Sequence, residues 1–409
     1  MNNTPRASRI HIALFGRRNA GKSSLINTIT NQEIAIVSQV RGTTTDPVFK
    51  SMEILPIGPC VIIDTAGIDD EGDLGNLRIK KTLEVLDKTD VALFVIDGET
   101  GLTSEDREIV KRIREKKIPL LMALNKTDKT NSFEEEIEFI KDELKCPIVP
   151  VSAINNQGIE ELKKELIKII PKDEERFKII GDLINPGDFI VLVTPIDESA
   201  PKGRLILPQQ QTIRDILDRD AIAIVTKEND LKETLRNLGK KPKLVVTDSQ
   251  VFDKVSKDTP EDILMTSFSI LFARHKGDLS ELIRGAKAIE RLKDGDKILI
   301  AEGCTHHKQE DDIGRAKIPK WLKKKTGKEL QFEFTSGGTF TDKVKEYALI
   351  VHCGACMINR AGMISRIEEA KKFETPIVNY GVLIAYVMGI LPRALKPFPE
   401  VLSILKEEN

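Results

Sequence analysis

Short apolar runs and amphipathic stretches take turns along most of this chain, separated by polar and turn-forming residues. Ile10-His-Ile-Ala-Leu-Phe15 is the first run and reads as a strand, and Leu25, Ile26 and Ile29 then recur at helical spacing. Val61-Ile-Ile-Asp64, Pro119-Leu-Leu-Met-Ala-Leu-Asn125 and Ile148-Val-Pro-Val151 are further strand-like runs. The polar stretch Pro171-Lys-Asp-Glu-Glu-Arg176 reads as a linker, after which the alternation restarts. Phe189 to Val193, Ala221 to Val225 and Leu244 to Val246 are expected strands, with helices over Gln211 to Leu217 and Leu231 to Leu238. A helix over Leu279 to Leu292 precedes strands at Lys297 to Ala301, Tyr347 to Val351 and Thr375 to Tyr380, and a helix over Gly381 to Leu391 closes the pattern. Such alternation defines an α/β fold with parallel sheets and crossover helices. We divide the chain at 1–172, 173–274 and 275–409. The middle part has only about three strands by this reading, and its two bare sheet edges favour self-association.

Bulk composition narrows the class. A chain of 409 residues holds roughly two to four domains. Its 63 basic and 64 acidic residues nearly cancel, so no global field points to nucleic acid or to an acidic membrane. The apolar run Val382 to Leu391 is too short to span a bilayer, and the first residues lack a signal-peptide layout. Five cysteines without a regular framework argue for a thiol-reduced, cytoplasmic protein. Lys317 to Lys328, dense in lysine around Trp321, reads first as a solvated amphipathic helix and second as a docking patch for an acidic partner.

The loudest chemical signal follows the first strand. Gly16-Arg-Arg-Asn19-Ala20-Gly21-Lys22-Ser23-Ser24 is a phosphate loop between a strand and a helix. Its N–H groups curl around phosphates, Lys22 reaches the terminal phosphates, and Ser23 holds Mg²⁺. Asp64 ends a strand and can bind Mg²⁺ through water, while the Gly67 N–H can sense a γ-phosphate. Asn125-Lys126-Thr-Asp128 follows another strand, and a carboxylate there pairs with the two N–H groups that guanine has and adenine lacks. Ser152 and Ala153 supply the last base-contacting loop. Cys60 and Cys146 open apolar runs and read as small core residues.

These motifs resemble the translation-factor-like GTPases, nearest the Era and TrmE branch, over about the first 170 residues. Ile68 stands where Ras-like proteins carry a water-orienting glutamine. The resemblance implies a K⁺ ligand at Asn19, a switch loop at Arg41-Gly-Thr43-Thr44-Thr45-Asp46 with Thr44 on Mg²⁺, and a slow, potassium-activated hydrolysis of GTP. Lys22, Asn19, Thr44 and Gly67 are then the catalytic set.

A second constellation lies near the other end. Glu302-Gly303-Cys304-Thr-His306-His307 and His352-Cys353-Gly354-Ala355-Cys356 each follow a strand-like run. Open α/β sheets gather their sites at the C-terminal ends of strands. A Cys-x-x-Cys loop lets two thiolates grip one metal centre, with Gly354 expected to keep the loop tight. Cys304 adds a third thiolate, and His306 or His352 is a candidate fourth ligand. The spacing alone suits a structural zinc site or an iron–sulfur cluster, and less well a redox pair. His11 and His275 look incidental.

Cys-x-His followed by His-Cys-x-x-Cys, behind a GTPase domain, resembles HydF, the GTPase maturase family of FeFe-hydrogenases. That resemblance covers the whole chain. It implies a GTPase domain, a small α/β dimerisation domain and an α/β cluster-binding domain. It further implies a 4Fe–4S cluster on Cys304, Cys353 and Cys356, a transient diiron precursor, and a homodimer or tetramer. The implied partners are two radical-SAM maturases and apo FeFe-hydrogenase, with no nucleic acid and no membrane. A ribosome- or RNA-associated GTPase with a structural zinc domain is the alternative, and an electron-transfer oxidoreductase ranks behind it.

Overall fold

The computed structural model describes residues 5–30, 47–55, 57–65, 81–130, 133–171, 178–196, 205–303, 313–337 and 343–406. The chain forms two compact units, Met1–Pro171 and Lys172–Asn409.

The first unit is a six-stranded sheet. Its strands are β1 (Ile10–Phe15), β2 (Val48–Ile54), β3 (Gly58–Asp64), β4 (Val91–Asp97), β5 (Leu120–Asn125) and β6 (Ile148–Pro150), in the order β2-β3-β1-β4-β5-β6. β2 runs antiparallel to β3; every other pairing is parallel. β1 is buried along its whole length, as a strand covered on both faces must be. Side chains alternate between two cores: Ile12 and Leu14 on one face, Ala13 and Phe15 on the other. Helices α1 (Lys22–Thr30) and α4 (Ile159–Ile169) cover the first face through Leu25, Ile26, Leu162 and Leu166. Helices α2 (Ser104–Glu115) and α3 (Phe133–Leu144) cover the second through Ile109, Ile113 and Ile140. Each fully buried Leu, Ile or Phe contributes about 1.5–3 kcal/mol, so these two faces dominate the unit's stability. Cys60 is fully buried in the first of these cores and Cys146 packs against the second; burial pushes both thiols up, Cys60 to about 12.

The second unit holds two four-stranded sheets over one continuous apolar core. The first has β7 (Phe189–Val193), β8 (Ile222–Thr226), β9 (Leu244–Thr247) and β10 (Leu264–Ser267) in the order β10-β9-β7-β8. All pairings are parallel, as the alternation predicts, but β10 is a fourth strand that the pattern did not reveal. Leu264-Met-Thr-Ser267 is too short and too polar at its end to stand out from a loop. Helices α5 (Leu207–Leu217), α6 (Leu231–Asn237) and α7 (Phe252–Asp258) make the crossovers, and α8 (Phe268–Lys276) follows β10. β8 is an edge strand, and Ile222 and Val225 stay nearly half exposed on it.

The last sheet has β11 (Lys297–Glu302), β12 (Gln331–Ser336), β13 (Leu349–His352) and β14 (Ile377–Asn379), ordered β12-β11-β13-β14 and again wholly parallel. Around it lie α9 (Leu279–Lys287), α10 (Ile318–Thr326), α11 (Arg360–Lys372) and α12 (Tyr380–Val387). The helix expected to reach Leu292 stops at Lys287, and Ala288–Arg291 tightens into a 3₁₀ turn. Gly285 lets α9 lie directly on β14: a Cβ there would sit 1.9 Å from the Ile377 carbonyl oxygen. On α10, Ile318 and Leu322 are buried while Lys324 and Lys325 are exposed, which is the solvated amphipathic reading of that stretch. No helix among the described residues is long and apolar enough to cross a membrane.

Candidate functional site: a phosphate loop and a paired-cysteine loop

In the first unit, the phosphate loop leaves β1 at Phe15 and enters α1 at Lys22. Gly16 takes φ 135°, and a Cβ on it would lie 2.2 Å from the Val95 carbonyl oxygen, so no other residue fits there. Asn19 takes φ 62°, the left-handed geometry that asparagine tolerates, and is exposed. Lys22 is buried, and its ammonium donates to the carbonyls of Gly16 (2.8 Å) and Arg17 (2.7 Å). Ser23 Oγ donates to Asp64 Oδ2 at 2.7 Å. Burial raises the Asp64 carboxyl above its usual range, with the Ser23 hydroxyl and the Lys22 ammonium pulling it back. Asp64 Oδ1 is buried and has no hydrogen-bond partner among the described residues. A carboxylate oxygen in that position, beside a serine hydroxyl, is the donor chemistry that a hard divalent cation takes.

Asn125 ends β5 and braces the site from the base side. Its Nδ2 donates to the Ala20 carbonyl (2.8 Å), and its Oδ1 accepts from the Ala153 N–H (3.1 Å). One side chain thus ties the phosphate loop to the Ser152–Ala153 loop. Lys126 takes φ 66° and its ammonium meets Asp97 Oδ2 at 2.5 Å. Ser152 Oγ donates to Asp128 Oδ1 at 2.5 Å, which fixes the plane of that carboxylate. Arg17 is a contact that motif reading missed. Its guanidinium pairs with the buried Asp106 at 3.4 Å and donates to Thr100, so the loop is anchored to the start of α2. Thr44 and Gly67, expected at Mg²⁺ and at the γ-phosphate, lie outside the described residues.

In the second unit, β11 and β13 are parallel neighbours with Ala301 opposite His352. Their C-terminal ends bring the two cysteine-bearing segments together. The Cys353 N–H donates to the Ala301 carbonyl (2.9 Å), and the Gly303 N–H donates to Cys353 Sγ (3.1 Å). Cys304 follows Gly303 directly; it and His306 lie outside the described residues. Among the described residues no cluster of three His, Cys, Asp or Glu side chains forms by itself. The Ala355 N–H also points at Cys353 Sγ, at 3.5 Å. Burial raises the Cys353 thiol above its ordinary value, and these two N–H groups work against that by favouring the thiolate. Sulfur held by main-chain donors is suited to thiolate ligation. Cys356 is half-buried in the same loop.

Two expectations change here. Gly354 is not what tightens the loop: its backbone needs no glycine, and a Cβ on it would meet nothing. The left-handed residue is Ala355, at φ 53° and 3% exposed. His352, a candidate ligand, is fully buried with both ring nitrogens engaged. Arg366 donates to Nε2 (2.6 Å), so Nδ1 carries the proton and donates to the Cys353 carbonyl (2.9 Å). Burial and the Arg366 charge lower the imidazole to about 3, so it stays neutral. Neither nitrogen is available to a metal in this arrangement. Arg366 is itself buried and also donates to the Gly337 carbonyl (3.0 Å). Its signal in the sequence is an arginine inside the stripe Met363, Ile367, Ala370 that α11 buries. His11 is buried and its Nδ1 contacts the Arg9 carbonyl, while His275 is part-buried and desolvation lowers it to about 4.

The phosphate loop, the Ser23–Asp64 pair and the Asn125 brace define a P-loop GTPase domain, here extended by two further parallel α/β sheets. Residues 11–126 match the family model of a 50S ribosome-binding GTPase, residues 179–277 that of the hydrogen maturase F dimerization domain, and residues 280–397 that of the hydrogen maturase F tetramerization domain. The chain belongs to the hydrogen maturase F family, HydF. Curated relatives match the first unit. The tRNA modification GTPase MnmE of Dechloromonas aromatica is 36% identical over 163 residues, 40% of this chain and 35% of that protein. GTPase Der of Caldanaerobacter subterraneus is 36% identical over 177 residues, 42% of this chain and 39% of that protein. The chain thus spans little more than a third of the length of these relatives. Among solved structures, Era of Aquifex aeolicus is 22% identical with a TM-score of 0.37, over 56% of this chain and 98% of that one.

Proposed function

We propose that this chain is a GTP-hydrolysing scaffold and carrier that holds a 4Fe–4S cluster, assembles a diiron precursor beside it, and hands that precursor to apo FeFe-hydrogenase. The observation that supports the cluster reading is the hydrogen bond from the Gly303 N–H to Cys353 Sγ. It draws the backbone that leads into Cys304 against the second cysteine's sulfur, with Cys356 three residues on. Cys304, Cys353 and Cys356 would hold the cluster, and His306 is the candidate for the remaining position. His352 and Arg366 brace the loop. The cluster supplies an iron with one replaceable ligand, to which a precursor can be tethered and from which it can be released.

In the nucleotide site, Lys22 and the phosphate-loop N–H groups bind the phosphates, Ser23, Asp64 and Thr44 hold Mg²⁺, and Asp128 reads guanine. Asn19 would take K⁺ in place of an arginine finger. Hydrolysis at such a site is slow and serves as a switch, with the GTP state biasing association with two radical-SAM maturases and the hydrogenase. The dimerization and tetramerization regions would make the carrier a homodimer or a tetramer, working in the cytoplasm.

The test of the cluster reading is anaerobic iron and sulfide analysis with EPR. We expect stoichiometric iron and sulfide with a cubane signal on reduction; bound zinc without sulfide sinks the reading in favour of a structural zinc domain. The potassium assignment is checked separately. GTP turnover is expected to be faster in K⁺ than in Na⁺ at equal ionic strength, and Asn19→Ala is expected to remove the difference. Equal rates in the two salts would remove Asn19 from the catalytic set.

A further inference from the structure

Helix α8 ends in a lysine that neither the nucleotide chemistry nor the three thiolates account for. Lys276 is 3% exposed, and its ammonium donates to three main-chain carbonyls: Ala355 (3.0 Å), Ile358 (3.0 Å) and Cys356 (3.3 Å). That uses all three hydrogens of an ammonium. All three acceptors belong to the single loop that carries Cys353 and Cys356. The grip is returned from the other side. Arg360, the first residue of α11, donates to the His275 carbonyl (2.6 Å) and the Gly277 carbonyl (3.5 Å), at the end of α8. The end of α8 and the cysteine loop therefore clasp each other.

Burying a lysine is costly unless its donors are used, and here all three are. A hydrophobic side chain would fill the slot more cheaply but would strand the carbonyls. The arrangement has a directional effect on the sulfur. With the Ala355 carbonyl turned to Lys276, and Ala355 in left-handed geometry, its N–H faces Cys353 Sγ. Resting on the reading that these cysteines hold a metal centre, we propose that Lys276 is a positioning residue for that centre. It sets the Cys353–Ile358 loop so that both thiolates are presented together before metal arrives, and it keeps a fixed positive charge beside the bound, anionic centre. A fixed positive charge favours the more negative, reduced state, so Lys276 holds the centre's reduction potential up.

The test uses the full chain under anaerobic conditions with two variants. Lys276→Met removes both the donors and the charge. Lys276→Gln removes the charge and keeps two N–H donors for the loop. Apo-protein is titrated with Co²⁺, whose thiolate charge-transfer bands report cysteine ligation. The same proteins are then reconstituted with iron and sulfide, and the centre is titrated potentiometrically by EPR. Circular dichroism and size-exclusion chromatography serve as fold controls. We expect Co²⁺ affinity to fall by about ten- to a hundredfold in Lys276→Met and by less in Lys276→Gln. The reduction potential is expected to move to more negative values in both, because both lose the charge. A folded Lys276→Gln protein with wild-type Co²⁺ affinity and wild-type potential overturns the proposal, and this variant decides if Lys276→Met does not fold. If the wild-type protein takes Co²⁺ but no iron–sulfur centre, the cluster reading falls while the Co²⁺ affinities still judge Lys276.

Discussion

The variant Asp128→Asn is expected to bind GTP about a hundred- to a thousandfold more weakly and to accept xanthosine triphosphate in its place. The argument comes from the Ser152 hydroxyl. It donates to Asp128 Oδ1, which orients the carboxylate for the base while leaving a lone pair on that oxygen. In the variant the amide oxygen stays with Ser152 and keeps its second lone pair for one base N–H. The amide nitrogen then faces the base and presents N–H where guanine also presents N–H. One charge-assisted hydrogen bond, of about 1.5–3 kcal/mol, is replaced by a donor facing a donor, and the other loses its charge. Xanthine replaces guanine's exocyclic amine by an oxygen, which that N–H can satisfy. Binding titrations with the two nucleotides measure this; unchanged GTP affinity would take Asp128 out of base recognition.

Cys353→Ala is expected to abolish the iron–sulfur centre and leave GTP hydrolysis within about twofold of the wild-type rate, a change of about 0.4 kcal/mol in the barrier. Cys353 Sγ is the acceptor for both Gly303 and Ala355 N–H, so its loss removes a ligand and the reference point of the loop together. The phosphate loop belongs to the other compact unit. Cys60→Ala and Cys146→Ala are the controls, because both thiols are held up by burial and neither is a thiolate at neutral pH. The raised Cys353 thiol carries a pH consequence. Its proton must leave for a metal to bind, so uptake is expected to strengthen as pH rises and to fade on acidification. Iron and sulfide content of the three variants, with phosphate release from GTP, is the measurement. A full cluster complement in Cys353→Ala would sink the assignment.

Motifs whose function depends on backbone spacing were legible in the sequence. Gly16 to Ser23, Asp64 and Asn125 to Asp128 sit at the ends of strands that apolar runs announce, and the structure brings them to one sheet edge in the first unit. The cysteine segments were legible for the same reason, because β11 and β13 are apolar and short. β12 was not, although Phe332 and Phe334 alternate with polar residues; it is a mostly exposed edge strand, and Glu and Gln dilute its signal. Lys276, Arg366 and Arg17 were missed for a different reason. Lys276 and Arg17 act on partners distant in sequence, so nothing in their own neighbourhood marks them, whereas Arg366 is marked only by its place in a buried helical stripe. The ligand expectation for His352 went astray because β13 includes it. A strand residue faces the packed layers, and there Arg366 meets it.

The parallel pairing of β11 with β13 has a consequence for when a metal could enter the proposed site. Parallel neighbours cannot be joined by a hairpin, and the sulfur contact here spans fifty residues of chain. At a synthesis rate of about 5–20 residues per second, Cys304 leaves the ribosome roughly 3–10 seconds before Cys353. In that interval an early metal would find a lone thiol and no partner. The segments meet only after α10 and β12 have been laid down and the sheet has closed, and the clasp from Lys276 then completes the loop with protein atoms alone. On the cluster reading proposed above, loading is therefore a post-translational step: the chain folds first, and cells short of iron should accumulate a finished, chargeable shell.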